Sequence, residues 1–209
     1  MEEKRNLAAT TYPPARLSSA CSCILTAHPT PSTVYTTTST VTEPPTGCTK
    51  SATIVQNGDF EAELTPWTVS NIDPPLPEFF QYESYGVQAP GYDSANAFTV
   101  NDSIASSYFE LDLDQTLTLC AGKKYNVKAQ FYMTDSHEIP KQTYIEVLVD
   151  GTQIATSTFA DGLGPPIVWK ILSGSFTAAS ASPKLTFKFA ATDFVGVTWG
   201  LDKVVVTPA

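Results

Sequence analysis

Three groups of side chains in this 209-residue chain are of types that could do chemistry. The first is Glu110, Asp112 and Asp114, which alternate through Tyr108-Phe109-Glu110-Leu111-Asp112-Leu113-Asp114. Cleaving an acetal link takes two carboxyls at a fixed separation across a cleft. A solvated strand face gives the same alternation, however, and nothing marks one of these carboxyls as a raised-pKa acid. The second group is Asp135, His137 and Glu138, which has no G-x-S-x-G elbow or reactive-cysteine motif to go with it. Catalysis is therefore not expected, and the chain reads as a binding or structural protein rather than an enzyme. The third group is aromatic: Phe79-Phe80-Gln81-Tyr82-Glu83-Ser84-Tyr85 through Pro90-Gly91-Tyr92, and Tyr132 at the end of a strand. Flat rings stack on apolar C–H faces while neighbouring amides and carboxylates take hydroxyls. Tyr82, Tyr85 and Tyr132 are thus the candidate binding residues, and the competing reading is that they pack a core. Trp67, Trp169 and Trp199 sit inside strand motifs and read as structural.

The elements that must carry these residues are strands. Ala97–Val100, Tyr108–Leu113, Tyr125–Phe131 and Thr143–Val149 alternate apolar and polar positions at period two. Asp150-Gly151 then predicts a two-residue hairpin turn into Thr152–Thr156. Val168–Phe176, Lys184–Phe189 and Trp199–Val206 complete the set. Near the start, Ile54-Val55-Gln56 reads as a short β-rich run that turns at Asn57-Gly58, shows Phe60 to a core and restarts as a strand at Trp67. No helix is expected, and the spacing predicts an all-β sandwich or jelly roll. Residues 1–50 are different: Tyr12-Pro13-Pro14, Thr30-Pro31-Ser32-Thr33 and Thr36–Thr40 offer little to bury, so a disordered Ser/Thr/Pro-rich linker or O-glycosylated stalk is expected there. The predicted organisation is a tail over 1–50 and one β-domain over 51–209.

The formal net charge is −9, and most of the acidity falls after residue 50. An acidic surface repels phosphates and anionic headgroups, so neither nucleic acid nor membrane is an expected partner. No apolar run approaches the length of a membrane span. Cys21, Cys23, Cys48 and Cys120 match no zinc spacing, and disulfide pairing outside the cytosol is the alternative. A Cys48–Cys120 disulfide is expected, with Cys21 and Cys23 outside the fold. Asn101-Asp102-Ser103 is an N-glycosylation sequon and predicts an exposed loop. Met1-Glu2-Glu3-Lys4-Arg5 leads into no apolar signal core, so the sequence reads as part of a longer secreted protein that lacks its signal peptide, and a catalytic or cell-wall domain is a possible missing neighbour.

Four segments then carry a family resemblance. Asn57-Gly58-Asp59-Phe60-Glu61 with Pro66-Trp67, the Gln115–Tyr125 stretch, Trp169 with Gly174-Ser175-Phe176-Thr177-Ala178, and Leu201-Asp202-Lys203-Val204 follow in order. Together they resemble carbohydrate-binding modules of the cellulase-C type, families 4 and 9 and their relatives, as found in secreted fungal proteins. Lys203 departs from the family, which commonly has Asn or Asp there. The resemblance implies a galactose-binding-like jelly roll that binds polysaccharide or oligosaccharide without cleaving it, stacking pyranose faces on the tyrosines. The acidic surface makes the expected glycan neutral. The resemblance also implies a structural calcium ion held by Glu61 and Asp202, the alternative being an acidic pair hydrogen-bonded to backbone N–H groups. A structural or adhesive cell-surface domain that has lost glycan binding is the second functional reading, and the exposure of Tyr82, Tyr85 and Tyr132 discriminates between the two.

Overall fold

The structure, a computed structural model, describes residues 54–73, 83–102, 108–135, 143–158, 167–191 and 196–209. The tail, Cys21, Cys23, Cys48, Tyr82, His137 and Glu138 lie outside the described residues, as do the expectations that fall on them.

Ten strands run in order: β1 Thr68–Asp73, β2 Ser84–Gln88, β3 Ala97–Asn101, β4 Phe109–Thr116, β5 Lys124–Asp135, β6 Tyr144–Val149, β7 Thr152–Thr158, β8 Lys170–Thr177, β9 Lys184–Ala191 and β10 Val197–Pro208. They pair antiparallel into two five-stranded sheets, ordered β1-β4-β9-β6-β7 and β2-β3-β10-β5-β8. The described residues contain no helix. The two inner faces supply one core. Phe109, Leu111 and Leu113 of β4 and Leu185, Phe187 and Phe189 of β9 face Phe98, Val100, Val127, Ala129, Phe131, Trp199 and Leu201. Period two does the sorting, because every second residue of a strand points to the same side. Fully burying each large apolar side chain contributes about 1.5–3 kcal/mol.

The predicted strands are present, and β2 is additional to them. The Asp150-Gly151 turn joins β6 to β7, with both residues at positive φ, 48° and 76°, as a two-residue hairpin of this hand requires. The opening departs from expectation in one respect: residues 54–66 form bends and turns rather than a strand. Side chains hold them. Asn57, at φ 49°, accepts the Ala62 N–H on its Oδ1 and donates from Nδ2 to the carbonyls of Glu63 and Thr65. Its own carbonyl takes the Trp67 indole N–H at 2.9 Å, which seats Trp67 beside the fully buried Phe60. The Gln115 carboxamide clamps the backbone N–H and C=O of Gln56, both at 2.8 Å. Gly58 lies so close to β10 that an added Cβ would meet the Val204 carbonyl oxygen at 2.1 Å, and its own carbonyl accepts the Val204 N–H. Cys120 is disulfide-bonded, and the other three cysteines fall outside the described residues.

Candidate functional site

The register sorts each sheet's outward residues. On the second sheet, Phe98, Val100, Trp199, Leu201, Phe131 and Met133 point into the core, so their alternates point out. Gly86 of β2, Thr99 of β3, Gly200 of β10 and Tyr132 of β5 are in register and form one row across this outer face. Ser84, Asn101, Thr198 and Thr134 form the next row.

The first row is low on one side and walled on the other. A Cβ built on Gly86 would meet open space. A Cβ on Gly200 would fall 1.9 Å from Tyr132 Cε1, so the Tyr132 ring lies across the β10 backbone where glycine leaves room for it. Trp169, just ahead of β8, stands edge-on to that ring at a 4.7 Å centroid distance and 89°. Tyr92, from the loop between β2 and β3, meets Trp169 at 5.8 Å and 63°. Tyr132 is buried against Trp169, at 6% exposure, while Trp169 and Tyr92 remain partly exposed. Burial alone raises the Tyr132 phenol above its ordinary pKa. The second row is neutral and hydrogen-bonding: Thr198 donates to Asn101 Oδ1 at 2.8 Å, and Asn101 Nδ2 donates to Ser84 at 3.3 Å.

The sequence-predicted residues divide accordingly. Tyr132 reaches the outer face but is buried against Trp169. Tyr85 is a correction. It pairs with the core residue Val100, points inward and packs on Phe98 at 6.4 Å, because alternation along β2 turns Tyr85 and Val87 to the core and Ser84, Gly86 and Gln88 out. Glu83 shares that inward phase and is buried opposite Asp102, whose carboxyl is pushed up to about 9 by burial and then by Glu83. Asn101 is also corrected: it is a half-buried strand residue with both ends of its carboxamide engaged, rather than a residue on an exposed loop. Trp67 and Trp199 are structural as expected, at 4% and 0% exposure. Trp169, expected to be structural as well, differs from them in lying partly exposed, in the outward phase relative to Leu172 and Phe176, the buried residues of β8.

Glu61 and Asp202 meet the same loop, residues 89–96. Glu61 Oε1 accepts the N–H groups of Ala95 and Asn96 at 2.8 and 2.9 Å, and Oε2 takes the Asn96 side chain at 3.3 Å. Asp202, fully buried, accepts the Tyr92 N–H at 2.6 Å and the Ser94 hydroxyl on Oδ2, and the Lys203 N–H at 2.6 Å on Oδ1. Burial raises the Asp202 pKa, and these hydrogen bonds pull against it. Calcium needs six to eight oxygen ligands, whereas every oxygen of this pair faces a donor. Among the described residues no three His, Cys, Asp or Glu side chains form a metal-holding group.

The acidic ladder lies on the outer face of the first sheet. Glu110 accepts from Lys188 at 2.9 Å, from Tyr108 at 2.7 Å and from Asn71. Asp114 accepts from Lys184 at 3.0 Å, from Ser70 at 2.6 Å and from Thr186. Burial pushes both carboxyls up, but these bonds outweigh it and hold both below their ordinary values. Between them, burial pushes Asp112 up to about 6, with Lys188 opposing and the two flanking carboxylates adding to the rise. A hollow between the β6–β7 hairpin and β8, lined by Asp150, Gln153, Ile154 and Phe176, offers one charged group, and Asp150 Oδ1 already caps the Lys184 N–H.

Comparison with known proteins places this geometry. The profile of a family described as Carbohydrate binding domain (CBM_4_9) matches residues 52–194. No curated protein matches the chain in sequence. Among solved structures, a carbohydrate-binding module described as specific for non-crystalline cellulose, CBM28, superposes at a TM-score of 0.50 and 11% identity, covering 73% of this chain and 93% of that one. TmCBM61, solved in complex with β-1,4-galactotriose, superposes at 0.49 and 18% identity, covering 76% and 100%. At these identities the likeness is one of fold.

Proposed function

Since the chain belongs to the Carbohydrate binding domain family over residues 52–194, a noncatalytic carbohydrate-binding module, we propose that it binds a neutral, β-linked polysaccharide or oligosaccharide on the outer face of the β2-β3-β10-β5-β8 sheet. The observation that carries this reading is the partly exposed Trp169–Tyr92 pair, with Trp169 packed against Tyr132, beside a glycine-floored row. Trp169 and Tyr92 offer apolar surface to pyranose C–H faces, and the Ser84–Asn101–Thr198 row offers neutral donors and acceptors to hydroxyls. Neutrality of the glycan is supported by the outward rows, in which Gly86, Thr99, Gly200, Tyr132, Ser84, Asn101, Thr198 and Thr134 carry no ionised group at neutral pH. A polyanion would also meet the chain's net negative charge. The protein holds glycan without turning it over, and a disulfide at Cys120 supports the reading that it is secreted.

Calorimetry with soluble β-glucans, xylans and mannans, with pull-down on insoluble cellulose and chitin, tests the reading. Binding to at least one, weakened about tenfold by Trp169→Ala, is the expected result. Absence of binding to all of them at millimolar sites would put the structural cell-surface reading in its place.

A further inference from the structure

We infer that Glu61 and Asp202 are positioning residues that set the ligand face through Tyr92, holding its loop by direct hydrogen bonds with no cation between. The inference rests on the proposed glycan face but is tested apart from it. Tyr92 itself makes the link: its backbone N–H ends on Asp202 at 2.6 Å and its ring ends on Trp169 at 5.8 Å. Within the loop, the Ser94 hydroxyl reaches the Tyr92 and Asn96 carbonyls at 3.1 and 3.2 Å, but one proton cannot satisfy both, so the loop relies on anchors from outside. Gly91 N–H to the Ala95 carbonyl, at 3.3 Å, is the backbone bond that closes it. Gly91 must be glycine, since a Cβ would meet the Asn96 carbonyl at 2.1 Å. Two carboxylates from remote parts of the chain, 34 and 110 residues from their backbone partners, then hold its two ends.

Hydrogen bonds from N–H to a carboxylate are charge-assisted and roughly twice as strong as neutral ones. Their geometry also argues against a metal. A cation at Asp202 Oδ2 would sit against the Tyr92 N–H dipole, whose positive end already points at that oxygen, and beside the Ser94 hydroxyl, which lies within reach of Asp202 and of the Tyr92 and Asn96 carbonyls. Asp202 is also one strand position pair away from Gly200, the residue that admits the Tyr132 ring. Alternate outward residues of β10 therefore fix Tyr132 and Tyr92, and both of these rings contact Trp169.

The experiment uses acrylamide quenching of tryptophan fluorescence in the full chain, with thermal melts alongside. Of the three tryptophans, Trp67 and Trp199 are buried, so quenching reports on Trp169. For the unaltered protein, moving from EDTA to millimolar calcium chloride is expected to change neither the melting temperature nor the quenching constant. Asp202→Asn leaves one acceptor oxygen where the Tyr92 and Lys203 N–H groups need two, and is expected to raise the quenching constant about twofold and weaken glycan binding about tenfold. Glu61→Gln, at an exposed position, should do the same to a smaller degree, and Ser94→Ala serves if Asp202→Asn fails to fold. A melting temperature raised by calcium would overturn the inference, as would folded variants whose Trp169 quenching matches the unaltered protein. If no glycan binds at all, the proposed function fails, while the quenching and calcium arms still decide this inference.

Discussion

The two outer faces of the sandwich are built from the same pleat and come out chemically opposite. On the first sheet, Glu110 and Asp114 are closed onto Lys188 and Lys184, with hydroxyls and an amide filling the remaining acceptors. On the second, the outward rows are neutral, and two rings stand partly exposed, one of them against a buried third. A strand face crowded with charge spends its hydrogen-bonding capacity internally, because a buried carboxylate without donors would be costly. A face of glycine, hydroxyls, amides and rings also bonds within itself, Thr198 to Asn101 and Asn101 to Ser84, but it does so without ion pairs and leaves ring surface uncovered. At its two ends, Glu110 and Asp114, the acidic ladder is thus closed on itself, while Asp112 between them stays buried with its Oδ1 unpaired.

The largest effect that would sharpen this contrast is Tyr132→Ala. Emptying the space across Gly200 should cost about 3 kcal/mol of stability by removal of a buried ring, and should loosen Trp169 as well. Denaturant unfolding and glycan calorimetry should therefore fall together, and a loss of affinity at unchanged stability would make Tyr132 a contact residue. Next is Trp169→Ala, which should weaken glycan binding by about 1.4 kcal/mol, a factor of ten, while costing less stability than Tyr132→Ala. A variant that binds as well as the parent breaks the comparison.

On the opposite face the test is pH. Asp112 titrates at about 6 when folded, against an ordinary 3.8, so its contribution to stability is full below the lower value and is lost as pH rises through the interval. Asp112→Asn should raise the melting temperature at pH 7 by about 2–4 °C, a gain of about 1 kcal/mol in a domain of this size, and the gain should close near pH 4. Melts at the two pH values decide it, and glycan binding should not change at either. The smallest effect is expected from Lys188→Met: about 1 kcal/mol or less in stability, since a partly solvated ion pair is worth little, and none in affinity. A drop in affinity would mean that the two faces are coupled.

Much of the fold was legible because local rules and tertiary demands agree. Asp150-Gly151 could hardly be anything but a hairpin turn, and β4, β5 and β9 alternate cleanly. The site was harder to read. The orientations of Tyr85 and Trp169 follow from strand phase alone: that of β2 sends Tyr85 inward, and that of β8 sends Trp169 out. Tyr92 is different. Its placement depends on Asp202, 110 residues away, and no window of sequence around Tyr92 contains that information. The same holds for the donors that face Glu61 and Asp202, which come from a loop 34 and 110 residues away.

Lys203 repays a last look. It sits at φ 49°, a left-handed conformation that costs a lysine more than an asparagine or aspartate, and it lies where β10 spends three steps, Asp202 to Val205, against two on β5, Gln130 to Lys128. The extra residue changes the strand's phase. Before it, Trp199 and Leu201 look inward, leaving Gly200 and Asp202 to face the rings; after it, Val204 and Val206 look inward. One strand thus reads in two frames, the first laying out the proposed glycan face and the second sealing the core against Gly58. Deleting Lys203 alone would merge the frames, so that either the rings lose their footing or the valines turn to water. Substitutions within one frame, by contrast, leave the other intact, which lets such a domain change what it recognises while keeping how it folds.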